Sequence, residues 1–416
     1  FLGATPAERL NELSNGGYDI YTTLDPTLQA DADAAVRARL PNTGGKFTSA
    51  LVSVNPANGY VEALVSGNPQ GGAGGYDVVT GRGGTGRQPG STFKLFTLMA
   101  ALQQGYSPND TIDGTAPCTF TLPHIVPNPY IANNAEPGKG IVTISTATAD
   151  SINCAYIRLG VNVGLNNVVN MAHLLGVTSP VPAVPSMVIG SVDVTPLEMA
   201  SAYATVDDLG IYHKPIFVTK ITNSAGNTVF TQPVVGHRVV AAQLCEVAIS
   251  VLQQVISRGT GTAANISRPA AGKTGTTDNF TDGWFDGFTP QLVTSVWMGA
   301  PAGSISMQPP ATPEVVYGGT YPAEIWGYYM SRAMSSYPVL GFTAPPSGAI
   351  GPGKFIVAVD SPGSITSSTT TTSTTSTTST TVPSTTSTAI ATTTTSGTTT
   401  TTSSSTTTTS TTLGSG

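Results

Sequence analysis

From Ser364 to its last residue the chain is almost wholly threonine and serine, in runs such as STTTTSTTSTTSTT. Such a stretch has too little apolar surface to offset the entropy lost on ordering it. Residues 364–416 are therefore expected to form a disordered stalk, either an inert spacer or an O-glycosylated tether at a cell surface. Any fold must be built by residues 1–363. The stalk also explains much of the charge deficit, since charged residues are 10% of the 416, against roughly 25% in an ordinary soluble domain.

Within the foldable part, residues 1–45 read as a lead-in. The alternation in YDIYTTLD predicts a strand, Asp25-Pro26 punctuates it, and LQADADAAVRARL has the spacing of a helix. Two strand-like runs around the turn-rich NPANG, in FTSALVSVNPANGYVEALVSG, predict a hairpin. Residues 71–90 are crowded with glycine and read as loop. Ser91 to about Gly210 alternates helical patterns, such as VTPLEMASAYATV, with proline-rich turns. A second β-rich block follows, in PIFVTKITNSAGNTVF, AAGKTGTT, GWFDGFTP and QLVTSVWMG.

Composition excludes some functions. A net charge of −6 with scattered basic residues is the wrong balance for nucleic acid, which requires a dense positive patch. Cys118, Cys154 and Cys245 form no CxxC, and His124, His173, His213 and His237 add no zinc-like spacing, so no metal site is expected. No run approaches the roughly 20 apolar residues needed to span a bilayer. FLGATPAERL lacks the layout of a signal peptide, and the missing initiator methionine points to a fragment or processed chain.

The segment that suggests chemistry is GRQPGSTFKLF, with Ser91 three positions before Lys94 at the expected start of a helix. Positions i and i+3 share a helix face, so an amine there can contact a hydroxyl. Lysine becomes a base for serine only when burial or a neighbouring cation lowers its pKa. The apolar surroundings supply burial, and free N–H groups at a helix start favour an oxyanion. Alone, Ser-x-x-Lys is a weak signal. It gains weight from DSINCAY, with Ser151 and Asn153, and from GKTGTTDNF, with Lys273, Thr274, Gly275 and Thr276 on an expected strand. Gly275 would let a substrate backbone approach that strand, and Lys273 offers a second cation beside Lys94.

The order Ser-x-x-Lys, Ser-x-Asn, Lys-Thr-Gly is that of penicillin-binding proteins and serine β-lactamases. The chain resembles the transpeptidase domain of class A, bifunctional penicillin-binding proteins of actinobacterial type. The likeness runs from about residue 18 to 340, through IYTTLDPTLQADADAAV, GRQPGSTFKLFTLMAAL, VTPLEMASAYATV and VYGGTYPAEIW. It implies an α/β (α+β) fold, an antiparallel sheet flanked by helices plus an all-helical subdomain. The corresponding domains are a lead-in over 1–45, the transpeptidase domain over 46–340, an extension over 341–363 and the tail over 364–416. By motif, Ser91 would be the acylated nucleophile and Lys94 its proton acceptor. Ser151 and Asn153 would relay a proton and hold the substrate amide. Lys273 would support Ser151, Thr274 and Thr276 would bind the donor carboxylate, and the N–H groups of Ser91 and Thr276 would form the oxyanion hole. Ile152 stands where β-lactamases usually carry Asp, which favours the penicillin-binding side.

The resemblance implies D,D-transpeptidation of peptidoglycan stem peptides, inhibition by β-lactam antibiotics, and no cofactor or metal. It implies a place at the extracytoplasmic face of the membrane, at the cell wall, where cell-wall synthesis proteins would be its partners. Such proteins carry a glycosyltransferase domain and anchor ahead of this point. Hydrolysis of the same acyl-enzyme, as in a D,D-carboxypeptidase or β-lactamase, is the second reading. The lack of an ExxLN-like loop for a deacylating water disfavours fast β-lactam turnover, while D,D-carboxypeptidase action stays open as a side activity. A non-catalytic sensor or adhesin is the third, and the intact motifs argue against it. GRGGTG at residues 81–86 reads as a loop, because no helix opens inside it. Trp284, Trp297 and Trp326 read as packing residues and Glu198 as structural. In an exported protein Cys118 and Cys154 are expected to pair, leaving Cys245 as a buried thiol.

Overall fold

The computed structural model describes residues 2–67, 76–123, 125–136, 139–301 and 303–358. The Ser/Thr stalk, His124 and part of the glycine-rich loop lie outside the described residues. The two β-rich blocks of the sequence meet in one five-stranded antiparallel sheet. Its order is Ala271–Thr276, Asp282–Thr289, Leu292–Gly299, Thr48–Val54, Val61–Ser66. The NPANG turn joins the last two strands, and Val296 pairs with Leu51 to unite the blocks. Every residue of Thr48–Val54 is buried, so this strand reads as a continuous run with both faces covered.

On one face Leu51, Phe285 and Val296 pack with Leu28, Ala32, Trp326 and Tyr329. These come from the helices Pro26–Arg39 and Tyr321–Ala333. The expected lead-in thus supplies part of the core, with Asp25 capping its helix through the N–H groups of Thr27 and Leu28. On the other face Val52, Trp284, Phe288 and Trp297 pack with Phe93, Phe96, Met199 and Tyr203. The helices Lys94–Gln103, Pro196–Asp207 and Ala242–Ser257 form that layer. All three tryptophans are fully buried packing residues.

The segment 94–207 is mainly helical, yet it also carries two short antiparallel ladders, so its description as all-helical is too simple. Thr111–Asp113 pairs with Ile141–Thr143, and Cys118–Phe120 with Tyr130–Ala132. Pro117, Pro123, Pro127 and Pro129 interrupt helix formation there, and backbone groups left between them are satisfied by pairing. A disulfide joins Cys118 to Cys154, with 5.7 Å between their Cα atoms, and Cys245 is a buried free thiol, both as expected. Glu198 closes a capping box with Thr195 and also accepts from Thr178 and Ser179. Its role is structural, as expected. Beyond Tyr321–Ala333 the chain returns to the helical half, where the Ile356 N–H bonds to the Thr111 carbonyl at 2.7 Å. Among the described residues no helix is long and apolar enough to cross a membrane.

Candidate active site

Ser91 lies in the 3₁₀ turn Gly90–Phe93, one step before the α-helix that begins at Lys94. In a 3₁₀ turn i and i+3 eclipse each other, so the serine and lysine point the same way. Gly90 has φ +55°, and a Cβ there would stand 2.7 Å from the Thr276 backbone nitrogen. The missing side chain therefore lets the nucleophile's turn sit against the edge strand, bringing Ser91 beside Thr276.

Lys94 is fully buried. Its Nζ donates to the Ser151 carbonyl at 2.7 Å, Asn153 Oδ1 at 2.8 Å and Ser151 Oγ at 3.3 Å, and it lies 5.4 Å from the Tyr156 ring centroid. Among its hydrogen bonds to described residues none goes to Ser91. The hydrogen bond to Ser91 expected from Ser-x-x-Lys is not formed among the described residues, because the Ser151 carbonyl and Asn153 Oδ1 take the two protons of a neutral amine. Such contacts commonly tighten only when substrate is bound.

Ser151 occupies the joint between the helices Ile144–Ala149 and Asn153–Val163. Its φ is +58°, a conformation usually reserved for glycine. The Ile152 N–H reaches back to the Ala147 carbonyl at 2.9 Å, closing the first helix as a C-terminal cap does. A serine held in this strained position implies a constraint other than helix termination. Asn153 opens the next helix and donates to the Asn133 carbonyl at 3.0 Å. Beside it, Asn134 accepts from the Cys154 N–H at 2.9 Å and donates to the Gly114 carbonyl at 2.7 Å.

Lys273 approaches from the opposite side. It sits on Ala271–Thr276, the edge strand, and its Nζ donates to Ser151 Oγ at 2.8 Å and the Thr274 carbonyl at 3.0 Å. Ser151 Oγ is thus shared by two buried amines. Burial, then the charge of Lys273, holds Lys94 well below the usual lysine range, and burial brings Lys273 down to about 7. Thr274 Oγ1 is 2.6 Å from Thr260 Oγ1, while Thr276 Oγ1 accepts from the Gly318 N–H at 3.1 Å, leaving its own proton free to donate.

Gly275 has a further reason, within the protein itself. A Cβ there would collide with the Pro89 carbonyl oxygen and lie 2.9 Å from Thr92 Cγ2. Glycine at this position admits the protein's own nucleophile turn.

The structure thus brings Ser91, Lys94, Ser151, Asn153, Lys273, Thr274, Gly275 and Thr276 into one cluster. It adds residues that sequence reasoning passed over. Arg87 donates to Asp282 at 3.1 Å and to the Ala300 carbonyl, and stacks 4.9 Å from the Trp297 ring centroid. Trp297 Nε1 also donates to Asp282, at 2.8 Å. The signal was an arginine inside a glycine-rich loop, without a visible partner until Asp282 is brought beside it. Thr260 carried no signal.

Residues 49–303 match a family model described as the penicillin-binding protein transpeptidase domain. Penicillin-binding protein 1A of Mycolicibacterium smegmatis is 32% identical over 358 residues, which cover 80% of this chain and 43% of that protein. Penicillin-binding protein 1A of Mycobacterium tuberculosis is 31% identical over 346 residues, covering 77% and 40%. The chain therefore spans about two-fifths of the length of these relatives. Among solved structures, the penicillin-binding protein PonA1 from Mycobacterium tuberculosis superposes with a TM-score of 0.71 at 30% identity, covering 80% of this chain and 90% of that one. PonA1 in complex with penicillin V gives 0.70 at 29% identity, covering 81% and 91%.

Proposed function

Since the chain belongs to the penicillin-binding protein transpeptidase family, we propose that it cross-links peptidoglycan through an ester on Ser91. Ser91 Oγ attacks the carbonyl carbon of the D-Ala–D-Ala bond while Lys94 Nζ takes its proton. The N–H groups of Ser91 and Thr276 receive the oxyanion, for which preorganised donors in a dry site are the main source of stabilisation. Collapse breaks the C–N bond, and Ser151 passes a proton to the departing D-Ala nitrogen. Asn153 holds the substrate amide. The hydroxyls of Thr274 and Thr276 take the donor carboxylate, which the Lys273 ammonium attracts. Lys94 makes good the proton that Ser151 gives up with the one taken from Ser91. An amine of a neighbouring stem peptide then attacks the ester and yields its proton through Ser151 to Lys94, which returns it to Ser91 Oγ as the ester bond breaks.

The observation that carries this reading is the placement of Ser151 Oγ between two buried amines, 3.3 Å from Lys94 Nζ and 2.8 Å from Lys273 Nζ. It offers a route by which the nucleophile's proton reaches the leaving nitrogen. A β-lactam ring presents a strained amide and a carboxylate to the same groups, and its tethered nitrogen then obstructs the acceptor. The domain acts at the extracytoplasmic face of the membrane, where its substrate lies, and a longer parent protein would carry a glycosyltransferase domain. The test is incubation with penicillin followed by peptide mapping, then turnover of a stem-peptide mimic with an added amine. An adduct on Ser91 with amine-dependent turnover is expected. An adduct elsewhere overturns the mechanism, and acylation without turnover leaves a sensor instead of an enzyme.

A further inference from the structure

The strand Asp282–Thr289 carries an aspartate inside an aromatic run, Trp284-Phe285-Asp286-Gly287-Phe288. Strand register sets Asp286 opposite Lys273 on one side and Ser295 on the other. The three side chains therefore share one face of the sheet, with directly opposed Cβ atoms about 5 Å apart. All three residues are 0% exposed. The same face lies under the nucleophile's turn, where the Tyr203 hydroxyl donates to the Thr92 carbonyl at 2.9 Å.

Neither carboxylate oxygen of Asp286 has a partner with full hydrogen-bond geometry, although Thr92 and Ser295 stand near enough to favour its charged form. A buried carboxyl without a partner is costly, and a strand core offers many cheaper residues for the position. Burial pushes Asp286 up to about 7, the pH to which it brings Lys273 down. An acid and a base thus lie side by side in the same dry space, each unfavourable as a lone charge. Ionised together, they offset one another. Among the described residues Lys273 makes no ion pair, since its Nζ is turned to Ser151 and Thr274.

We propose that Asp286 is a positioning residue for acyl transfer, its carboxylate serving as the counter-charge that keeps Lys273 protonated and aimed at Ser151. This rests on the reading of Lys273 as the charged support of Ser151. Of the other titratable groups here, Tyr203 on Pro196–Asp207 feels the charge of Asp286, Tyr156 on Asn153–Val163 lies behind Tyr203, and Lys94 lies beside Lys273. Burial holds both phenols protonated and Lys94 is a base. Asp286 is therefore the member of this group able to be an anion at neutral pH.

Acylation requires Lys94 unprotonated and Lys273 protonated, so its rate rises with pH through the first titration and falls through the second. Without the carboxylate, Lys273 loses its proton more readily and the alkaline limb moves to lower pH. An opposite charge within about 4–6 Å is worth about 1–3 pH units. The experiment compares acylation of the full chain and its Asp286→Asn variant by a fluorescent penicillin, from about pH 5 to about pH 11, a range that spans these groups. A downward shift of the alkaline limb by about 1 unit or more is expected. An unmoved limb in a folded variant means that Asp286 only packs, and overturns the proposal. If Asp286→Asn does not fold, the double variant Asp286→Asn/Lys273→Met decides: recovered folding means that the two charges compensate, and failure to recover overturns the proposal. A wild-type chain that penicillin does not label at Ser91 would instead sink the proposed function, a result distinct from an unmoved limb.

Discussion

Lys273 Nζ donates to Ser151 Oγ at 2.8 Å, and this bond ties the edge strand of the sheet to the joint between two helices across the cleft. It is the point where the β and helical halves share a proton-carrying group. Geometry on both sides is built around it, from the strained φ of Ser151 to the burial of the lysine.

Ser151→Ala tests that group directly. Lys94 keeps the Ser151 carbonyl and Asn153 Oδ1, and Lys273 keeps the Thr274 carbonyl, so the amines retain acceptors. The fold is expected to survive, while acylation by penicillin slows by about 10²–10⁴-fold because the leaving nitrogen loses its proton donor. Labelling kinetics beside a thermal melt separate the two effects. An unchanged rate would remove Ser151 from the chemistry.

Gly275→Ala probes the seat of the nucleophile. The new Cβ would press on the Pro89 carbonyl and on Thr92, displacing the turn that carries Ser91 with no catalytic group deleted. A displacement near 1 Å typically costs about 10²-fold in rate. The acylation rate constant should fall by at least that order. A variant that labels as fast as wild type would show that the turn can yield without moving Ser91.

What the sequence revealed, and what it hid, follows from where each interaction lies along the chain. The hairpin around NPANG was legible because both strands and their turn are contiguous. The chemistry of Ser91, Lys94 and Lys273 was legible because three short motifs carry it. By contrast, the union of Thr48–Val54 with Leu292–Gly299 joins segments far apart in sequence, and no local pattern specifies it. The ladders at 111–143 were missed because three-residue strands between prolines show no periodicity. The packing that requires glycine at 275 has no local signal, since its close neighbour Pro89 lies remote in sequence. The i+3 rule places Lys94 beside Ser91 but cannot show its hydrogen-bond acceptors, which belong to another helix joint.

Arg87 is expected to be a stability determinant. Its side chain is 11% exposed and that of Asp282 5%, so Arg87→Ala leaves a nearly buried carboxylate with, among the described residues, Trp297 Nε1 and Thr281 as its side-chain donors. Breaking one side of such a pair typically costs about 3–5 kcal/mol. Arg87→Lys should recover only part of this, because an ammonium cannot form the fork and stack on Trp297 together. Denaturant midpoints would check both. Full recovery by lysine would show that charge alone matters.

The Cys118–Cys154 bond links a short strand to the first turn of the helix begun by Asn153, across a separation of 36 residues. A loop of that size is worth about 4 kcal/mol in the chain-entropy estimate. Cys118→Ala/Cys154→Ala should lose stability of that order and acylate more slowly, because Asn153 would be less firmly held. Alkylation of the unfolded, unreduced chain should label Cys245 alone. Labelling at all three cysteines would contradict the bond.

Lys94 links catalysis to stability. Burial and the neighbouring Lys273 hold it well below the usual lysine range in the native state, whereas in the unfolded chain it stays charged to about pH 10.4. Between those two values the unfolded state binds the extra proton, so native stability rises with pH across the window and falls as pH drops through it. Lys94→Met deletes this dependence but leaves the Ser151 carbonyl and Asn153 Oδ1 without their amine donor. Relative to wild type, the variant should therefore be least stable near pH 10 and gain steadily as pH is lowered toward neutrality. Acylation at neutral pH should drop by about 10²–10⁴-fold, since Ser91 loses its base. Melting temperatures of both proteins across that range, with labelling rates at each pH, test the two halves together. A stability difference that stays flat with pH would mean that Lys94 remains charged when buried, and Lys94 could not then serve as the base for Ser91.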